Sequence, residues 1–247
     1  PFLLIFKVNH KPYKNLNNSK KEQIVTMFDR IANTYDQLNG LITFGMDKTW
    51  RKRVAKMIAA NNPETILDAA TGTGALAIDL AKQSSAKVIG IDISEQMLAI
   101  GKEKINHLEL GGIITMQLGD AEALSFESNT FDAISIGFGV RNFDNLNQGL
   151  SELYRVLKPG GQLVILETSV PKYFPFKQGY YLYSHWIIPI LGKIFSRDKL
   201  AYEYLSDSAS VFPYGQRFND ILKENKFIDI VDYPQMLGIV TIYAAFK

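Results

Sequence analysis

The sequence predicts an α/β fold of Rossmann-like kind: a mainly parallel seven-stranded sheet with helices on both faces, its last strand pair a hairpin. Three observations predict it. The stretch from Thr65 to Asp92, TILDAATGTGALAIDLAKQSSAKVIGID, reads as strand, small-residue turn, helix and second strand. Further strand-like runs follow at Ile113 to Leu118, Phe131 to Ile136, Gln162 to Leu166, Phe227 to Tyr233 and Ile239 to Phe246. Between several of these lie helix-length stretches with apolar residues at three- and four-residue steps, the alternation from which parallel sheets are built.

In the first unit Ile66-Leu67 runs into an acid, Asp68, and then into Ala69-Ala70-Thr71-Gly72-Thr73-Gly74. Leu76, Ile78, Leu80 and Ala81 make the apolar face of the helix, and Val88 to Ile91 ends on a second acid, Asp92. Glycines let a ligand approach the backbone closely, and the helix start offers unpaired N–H groups. Asp92 stands where an acid accepts hydrogen bonds from a ribose diol. The unit therefore reads as a nucleoside site. Gly72-Thr-Gly74-Ala-Leu-Ala77 also fits G-x-G-x-x-G/A with an acid about 20 residues on, which keeps NAD or FAD open. Asp68, however, would repel a pyrophosphate and attract a cation, and Thr71 crowds the turn. S-adenosylmethionine, with a sulfonium and an amino acid, suits this turn better. A glycine turn with no ligand is the third reading. The cofactor set expected here is Asp68, Thr71, Gly72, Gly74 and Asp92.

With 247 residues the chain holds one large domain or two small ones, and it contains no repeat or low-complexity linker, so one domain is expected over residues 22–247. A net charge of +2 gives no support for a nucleic-acid partner. The absence of cysteine excludes disulfides and thiolate metal sites, and His10, His107 and His185 are scattered too widely for a metal-ligand spacing, so no metal is expected. No apolar run approaches the roughly 18 residues of a membrane span. Pro1 to Phe6 is apolar but short and lacks a preceding basic region, so a cytoplasmic protein is expected rather than an exported one. Residues 1–21, with Lys7, Lys11, Lys14, Lys20 and Lys21, read either as a loosely ordered arm or as a basic arm resting on the inner face of an anionic membrane.

From Glu22 the residues Ile24, Met27, Phe28, Ile31 and Tyr35 predict a helix. It is expected to end near Tyr35-Asp36-Gln37-Leu38-Asn39, at a Gly40 break, with a second helix capped by Asp47 and carrying Trp50, Val54, Met57 and Ile58 on one face. These residues resemble the leading segment of the UbiE/MenG C-methyltransferases of menaquinone and ubiquinone biosynthesis, which reads Tyr-Asp-x-Met-Asn, then Leu-Ser, a Gly, a His and a Trp. This chain has Leu38 for Met, Thr43 for Ser and Asp47 for His, and the last change removes that position from the catalytic set. A second match is Arg155-Val156-Leu157-Lys158-Pro159-Gly160-Gly161, continuing to Glu167-Thr168-Ser169, which fits the family at every defined position. The resemblance covers nearly everything beyond the first 20 residues.

The resemblance implies a class I S-adenosylmethionine (SAM) methyltransferase fold. It also implies methyl transfer to a ring carbon of demethylmenaquinol, or of the corresponding ubiquinone precursor. It puts Met97, in a helix capped by Ser94, against the adenine, core packing being the other reading of that residue. It puts Asp120 and Ala121 at the adenine edge. Gly137 stands where the family often carries Ser, so only its backbone is expected to meet the cofactor. Arg141-Asn142 matches a Gly-hydrophobic-Arg-Asn motif. Arg141 is the expected stabiliser of phenolate charge, and Tyr35 is expected to position a water or hydroxyl. The aromatic stretch 171–205 reads as a helix packed on the sheet or as a greasy lid over a prenylated quinol. The stretch from Ile188 to Gly192 and the segment from Leu237 resemble menaquinone-pathway members more closely. A homodimer and peripheral membrane contact are further expectations. A NAD-dependent oxidoreductase and a non-catalytic SAM-binding protein are the rivals from other classes.

Overall fold

The computed structural model describes residues 11–13, 17–187, 190 and 198–247. Two helices lead, α1 (Lys20–Ile42) and α2 (Met46–Ala59). Then β1 (Thr65–Ala69), α3 (Ala75–Gln83), β2 (Lys87–Asp92), α4 (Glu95–His107), β3 (Ile114–Leu118) and β4 (Phe131–Gly137) alternate. α5 (Leu146–Val156) leads into β5 (Leu157–Thr168), and α6 (Phe176–Leu182) runs on as a wider π-helical turn to Ile187. α7 (Lys199–Val211), α8 (Gln216–Glu224), β6 (Ile228–Gln235) and β7 (Val240–Phe246) close the chain.

The strands form one seven-stranded sheet in the order β3-β2-β1-β4-β5-β7-β6. The sheet is mixed rather than purely parallel: its parallel part and its closing hairpin are as expected, and the place of the hairpin is what the sequence left open. β1 to β5 run parallel, but β7 inserts antiparallel between β5 and β6. Only the short helical turn Met236–Gly238 separates β6 from β7. A parallel pairing needs a crossover of a dozen or more residues, so this pair folds as a hairpin. Both faces of the central strands are covered. Leu67 and Ala69 of β1 pack with residues of α5 and α8, while Ile66 packs with α2, α3 and α4.

Helix starts depart from the sequence expectation in two places. α1 begins at Lys20, because Ser19 and Glu22 form a reciprocal capping box. It then runs through Gly40, a cost of about 1 kcal/mol, to Ile42. The Thr43 hydroxyl donates to Asn39 O at 2.7 Å there. α2 is entered through Gly45 at φ +74°. Asp47 is no cap: it lies in the first turn, accepts from the Thr43 hydroxyl at 2.9 Å and pairs with Arg51.

Of the arm expected over residues 1–21, residues 1–10 and 14–16 lie outside the described ones, while Lys20 and Lys21 belong to α1. Tyr13 is buried; its N–H donates to Gln23 Oε1 and its hydroxyl to Asp198 Oδ2 at 2.7 Å. Ile188, Pro189, Leu191 and Gly192, of the stretch read as menaquinone-like, also lie outside the described residues. Among the described residues no helix is long and apolar enough to cross a membrane.

Candidate active site

The strand order reverses between β1 and β4, and at such a switch point the loops beyond the strand ends part to leave a crevice. β1 delivers Asp68, β2 delivers Asp92 and β4 delivers Gly137 to that edge. The turn after β1 leaves the sheet at Ala70 (φ +53°) and Gly72 (φ +56°), and β4 ends at Phe138 (φ +58°). Left-handed backbone at Ala70 and Phe138 costs about 1–3 kcal/mol each and persists only where the surroundings enforce it. Gly139 shows that enforcement: a Cβ there would sit 2.5 Å from the Ala70 Cβ. The two turns are pressed together, and glycine is what permits it.

Two cavities open from this edge. The smaller, about 70 Å³, is lined by Asp92, Met97, Asp120, Ala121 and Asn142 among others. The larger, about 1230 Å³, is lined by Asp68, Thr71 and Arg141 near the sheet and by apolar side chains such as Leu76, Leu205 and Ile239 beyond it. Tyr35, Ala70, Gly72, Gly137 and Phe138 belong to both walls, so the cavities meet at the ends of β1 and β4. Of the residues expected at the site, Gly74 alone lies on neither wall. It starts α3 at φ +75° and packs near Met116 and Gly101. Met97 is buried among α1 and α7 residues and also lines the small cavity. Trp50 is core and still forms part of the large cavity's wall.

The acids are fixed by neutral donors. Asp68 accepts from the hydroxyls of Thr71 and Ser135, each at 2.6 Å. Burial pushes its carboxyl up to about 6, against the pull of those hydrogen bonds and with the help of Asp92's charge. Asp92 accepts from Gly72 N at 2.8 Å and from Ser94 N at 2.9 Å, which ties the glycine turn to the start of α4. Burial raises its pKa as well. A carboxylate has about four acceptor sites, so Asp92 keeps acceptor capacity for a ligand beyond the Gly72, Ile93 and Ser94 N–H groups that it faces. Asp120 is not a lone acceptor: Lys21 of α1 pairs with it at 2.5 Å.

α1 lies across this edge as a strap, held at several points. Besides the Lys21–Asp120 pair, the Ser94 hydroxyl donates to Asp29 at 2.6 Å. The Thr73 hydroxyl donates to Asp36 at 2.7 Å, and Lys104 of α4 pairs with the same carboxylate. Sequence reasoning marked Asp36 beside Tyr35 but missed Lys21 and Lys104 as parts of the cavity walls and Asp29 as a tie of the strap, because no local pattern marks a helix that will cross a distant turn.

Arg141 stands at the inner end of the large cavity, 8% exposed, with Nη1 donating to Glu167 Oε1 at 2.6 Å and to Phe138 O at 2.7 Å. Burial alone would lower its pKa, but Glu167 outweighs that and keeps the guanidinium charged. Its Nε has no partner, and neither has the hydroxyl of Tyr202, a second buried residue on the same wall. Arg141 lines the cavity although its Nε is itself covered, and a buried charged side chain at that wall is suited to an anionic oxygen of a ligand. Burial raises the hydroxyl of Tyr35, and raises those of Tyr180 and Tyr204 to about 12. All three are therefore neutral donors at physiological pH. Glu167 was legible only as part of the second signature. The signal for its role was an acid ending an apolar strand, as at Asp68 and Asp92.

The arrangement fits an elongated cationic cofactor with its nucleoside toward Asp92 and Asp120 and its charged end toward Asp68, beside a large apolar chamber. Comparison with known proteins agrees. The ubiE/COQ5 methyltransferase family pattern matches residues 16–247. The chain is 43% identical over 238 residues to a demethylmenaquinone methyltransferase of Bacteroides fragilis, covering 96% of this chain and 97% of that protein. It is 42% identical over 230 residues to a ubiquinone/menaquinone biosynthesis C-methyltransferase UbiE of Geobacter sulfurreducens, covering 92% and 90%. Among solved structures, a Haemonchus contortus phosphoethanolamine N-methyltransferase in complex with S-adenosyl-L-methionine superposes with a TM-score of 0.58. The match has 19% identity and covers 79% of this chain and 52% of that one. At that identity the likeness speaks for the fold alone.

Proposed function

The chain belongs to the ubiE/COQ5 methyltransferase family and takes its methyl group from SAM, and we propose on that premise that it methylates a ring carbon of demethylmenaquinol to give menaquinol. One observation carries the proposal. A chamber of about 1230 Å³, mostly apolar beyond its inner end, meets the smaller acid-lined cavity at Gly72 and Gly137, with the buried, charged Arg141 on its wall. Ligand pockets commonly measure about 300–1,000 Å³. The chamber thus has room for a donor's charged end, a bicyclic ring and part of a prenyl tail.

Bound in this site, SAM supplies an electrophilic methyl group on a positively charged sulfur. The residues of the chain bind, orient and desolvate. Asp92 accepts from the ribose hydroxyls, and Asp120, Ala121 and Met97 meet the adenine. Asp68 faces the cationic end, and Thr71 holds that carboxylate in place. Gly72 and Gly137 leave the junction open, so that ring and donor can approach; such positioning is worth several kcal/mol. A quinol with one hydroxyl ionised is nucleophilic at the adjacent ring carbon, which accepts the methyl group and then loses its hydrogen as a proton, restoring the aromatic ring. Arg141 stabilises that phenolate by donating to its oxygen, and Tyr35, neutral and half-buried, positions a water or hydroxyl beside it.

The test is transfer of isotopically labelled methyl from SAM to a panel of reduced, short-chain demethylquinones. Label is expected on the ring carbon of the naphthoquinol. Preferential labelling of a benzoquinol would replace this substrate with the ubiquinone precursor, and labelling of neither would remove the proposal.

A further inference from the structure

The mouth of the large cavity has an unusual border. Phe44, Phe176, Met236 and Leu237 line the cavity and at the same time face outward, Phe44 being 75% and Leu237 64% exposed. They come from three separate parts of the chain: the α1–α2 connection, α6, and the β6–β7 turn. Tertiary contacts bring these parts together. The Phe44 and Tyr183 rings lie 6.2 Å apart, the Tyr183 hydroxyl donates to Ile42 O at 2.7 Å, and Gly238 packs against Pro171.

Beyond this rim Tyr173, Phe174 and Trp186 point away from the core, 76%, 79% and 66% exposed. Large rings scattered singly on a surface need no explanation, but a contiguous apolar rim around a cavity mouth marks an interaction site. Asp36 and Asp79 on the cavity wall are paired with Lys104 and Arg51, and the unpaired charge on two flanks of the mouth is basic. Residues 171–187 contain Lys172 and Lys177 and no acid. On the other side of the mouth α2 presents exposed Lys48 and Lys52, both on the cavity wall, and its single acid, Asp47, is buried and paired with Arg51. Tyrosine and tryptophan next to apolar side chains, flanked by lysine, are suited to the boundary between headgroups and acyl chains.

We propose that this rim docks on an anionic phospholipid bilayer, with the cavity mouth against the lipid. The occupant follows from charge and from what the mouth admits. Lysines on both flanks are drawn to a negative lipid surface, and a prenylated ring resides in lipid and loses solvation by apolar chains if it must cross water. A mouth sealed against the bilayer lets the ring enter the chamber while the tail stays in an apolar medium. This inference rests on the quinol reading of the same chamber.

The experiment keeps the two apart. The full chain is floated with vesicles of phosphatidylcholine and phosphatidylglycerol in equal parts, and with vesicles of phosphatidylcholine alone. Binding is expected to the anionic vesicles, at least tenfold stronger than to the neutral ones, and to fall with salt. Two independent variants, Tyr173→Asp with Trp186→Asp, and Lys172→Glu with Lys177→Glu, touch no residue assigned to cofactor or ring. Each is expected to lose binding tenfold or more while calorimetric SAM binding and turnover of a water-soluble short-chain demethylquinol stay within twofold. Turnover of a long-chain quinol embedded in the vesicles falls with the binding. Flotation that is absent, indifferent to lipid charge or unchanged in both variants would overturn the docking surface, as would variants that instead dissolve a dimer in sedimentation. Failure of the soluble quinol to be methylated, with flotation intact, would count against the quinol reading and leave the surface standing.

Discussion

Asp68 carries its charge at a cost. Its carboxyl titrates at about 6 in the folded chain against 3.8 as the ordinary value, so the folded state holds the proton more tightly than the unfolded one. As pH rises from about 4 through 6, folding stability contributed by this group is lost, and above 6 the buried carboxylate stands ready for a cation. SAM affinity is therefore expected to rise by up to about tenfold between pH 5 and 7. Titration calorimetry across that range checks it, and Asp68→Asn should remove most of the slope. A flat profile in the unsubstituted protein would take Asp68 out of the cofactor site. The Arg141–Glu167 pair is a second high-stakes contact, at 7% and 0% side-chain exposure. Removing one partner of a buried pair leaves an uncompensated charge and costs about 3–5 kcal/mol. Glu167→Gln is expected to lower Tm by roughly 10 °C and to depress kcat more than tenfold with SAM binding little changed. Unaltered single-turnover methylation would show that Arg141 needs no such partner.

At the scale of elements, the signature Lys158-Pro159-Gly160-Gly161 is a structural joint. It sits within β5 where the register against β4 slips from Leu157 to Gln162. Gly160 N donates to Lys247 O at 3.0 Å, tying down the chain end beyond β7. Lys158 also reaches Asp132 at 2.7 Å, and Asp132 accepts from the Thr65 N–H and hydroxyl at 2.9 and 2.8 Å. One carboxylate thus joins the start of β1, β4 and the joint. Some desolvation opposes the shift, but these donors pull its carboxyl down to about 2. A depressed carboxylate stabilises the fold fully above its ordinary value of 3.8, and that contribution is lost as pH falls toward 2. Asp132→Ala should lower Tm by about 5 °C at pH 7, from about 1.5–3 kcal/mol of charged hydrogen bonds. The gap should narrow only below about pH 4 in thermal denaturation; a gap already closed at pH 5 would contradict this account. The first βαβ unit and the capped helix α4 were readable along the chain because their signals are local: a glycine turn, a periodic face, a Ser94 hydroxyl accepting from Met97 N. The length of α1 was not. A single glycine weakens a helix but does not stop one whose apolar face packs on both sides of it, as Leu38 before Gly40 and Ile42 after it do here.

Across the whole molecule, composition and local pattern determined the alternation of strands and helices, the acids at strand ends, the glycine turn and the family. They did so because each depends on residues close together along the chain, where φ preference, periodicity and burial act directly. Only the tertiary structure decided the rest. It inserted β7 between β5 and β6, since a hairpin pairs wherever the sheet offers an edge. It laid α1 over the smaller cavity, joining Lys21 to Asp120 across 99 residues and Asp36 to Lys104 across 68. It buried Arg141 against Glu167 and gathered Phe44, Phe176 and Leu237 from distant segments around one mouth. Such contacts are chosen by packing and by pairing of buried charge among residues far apart in sequence, and no stretch of the chain carries that information alone.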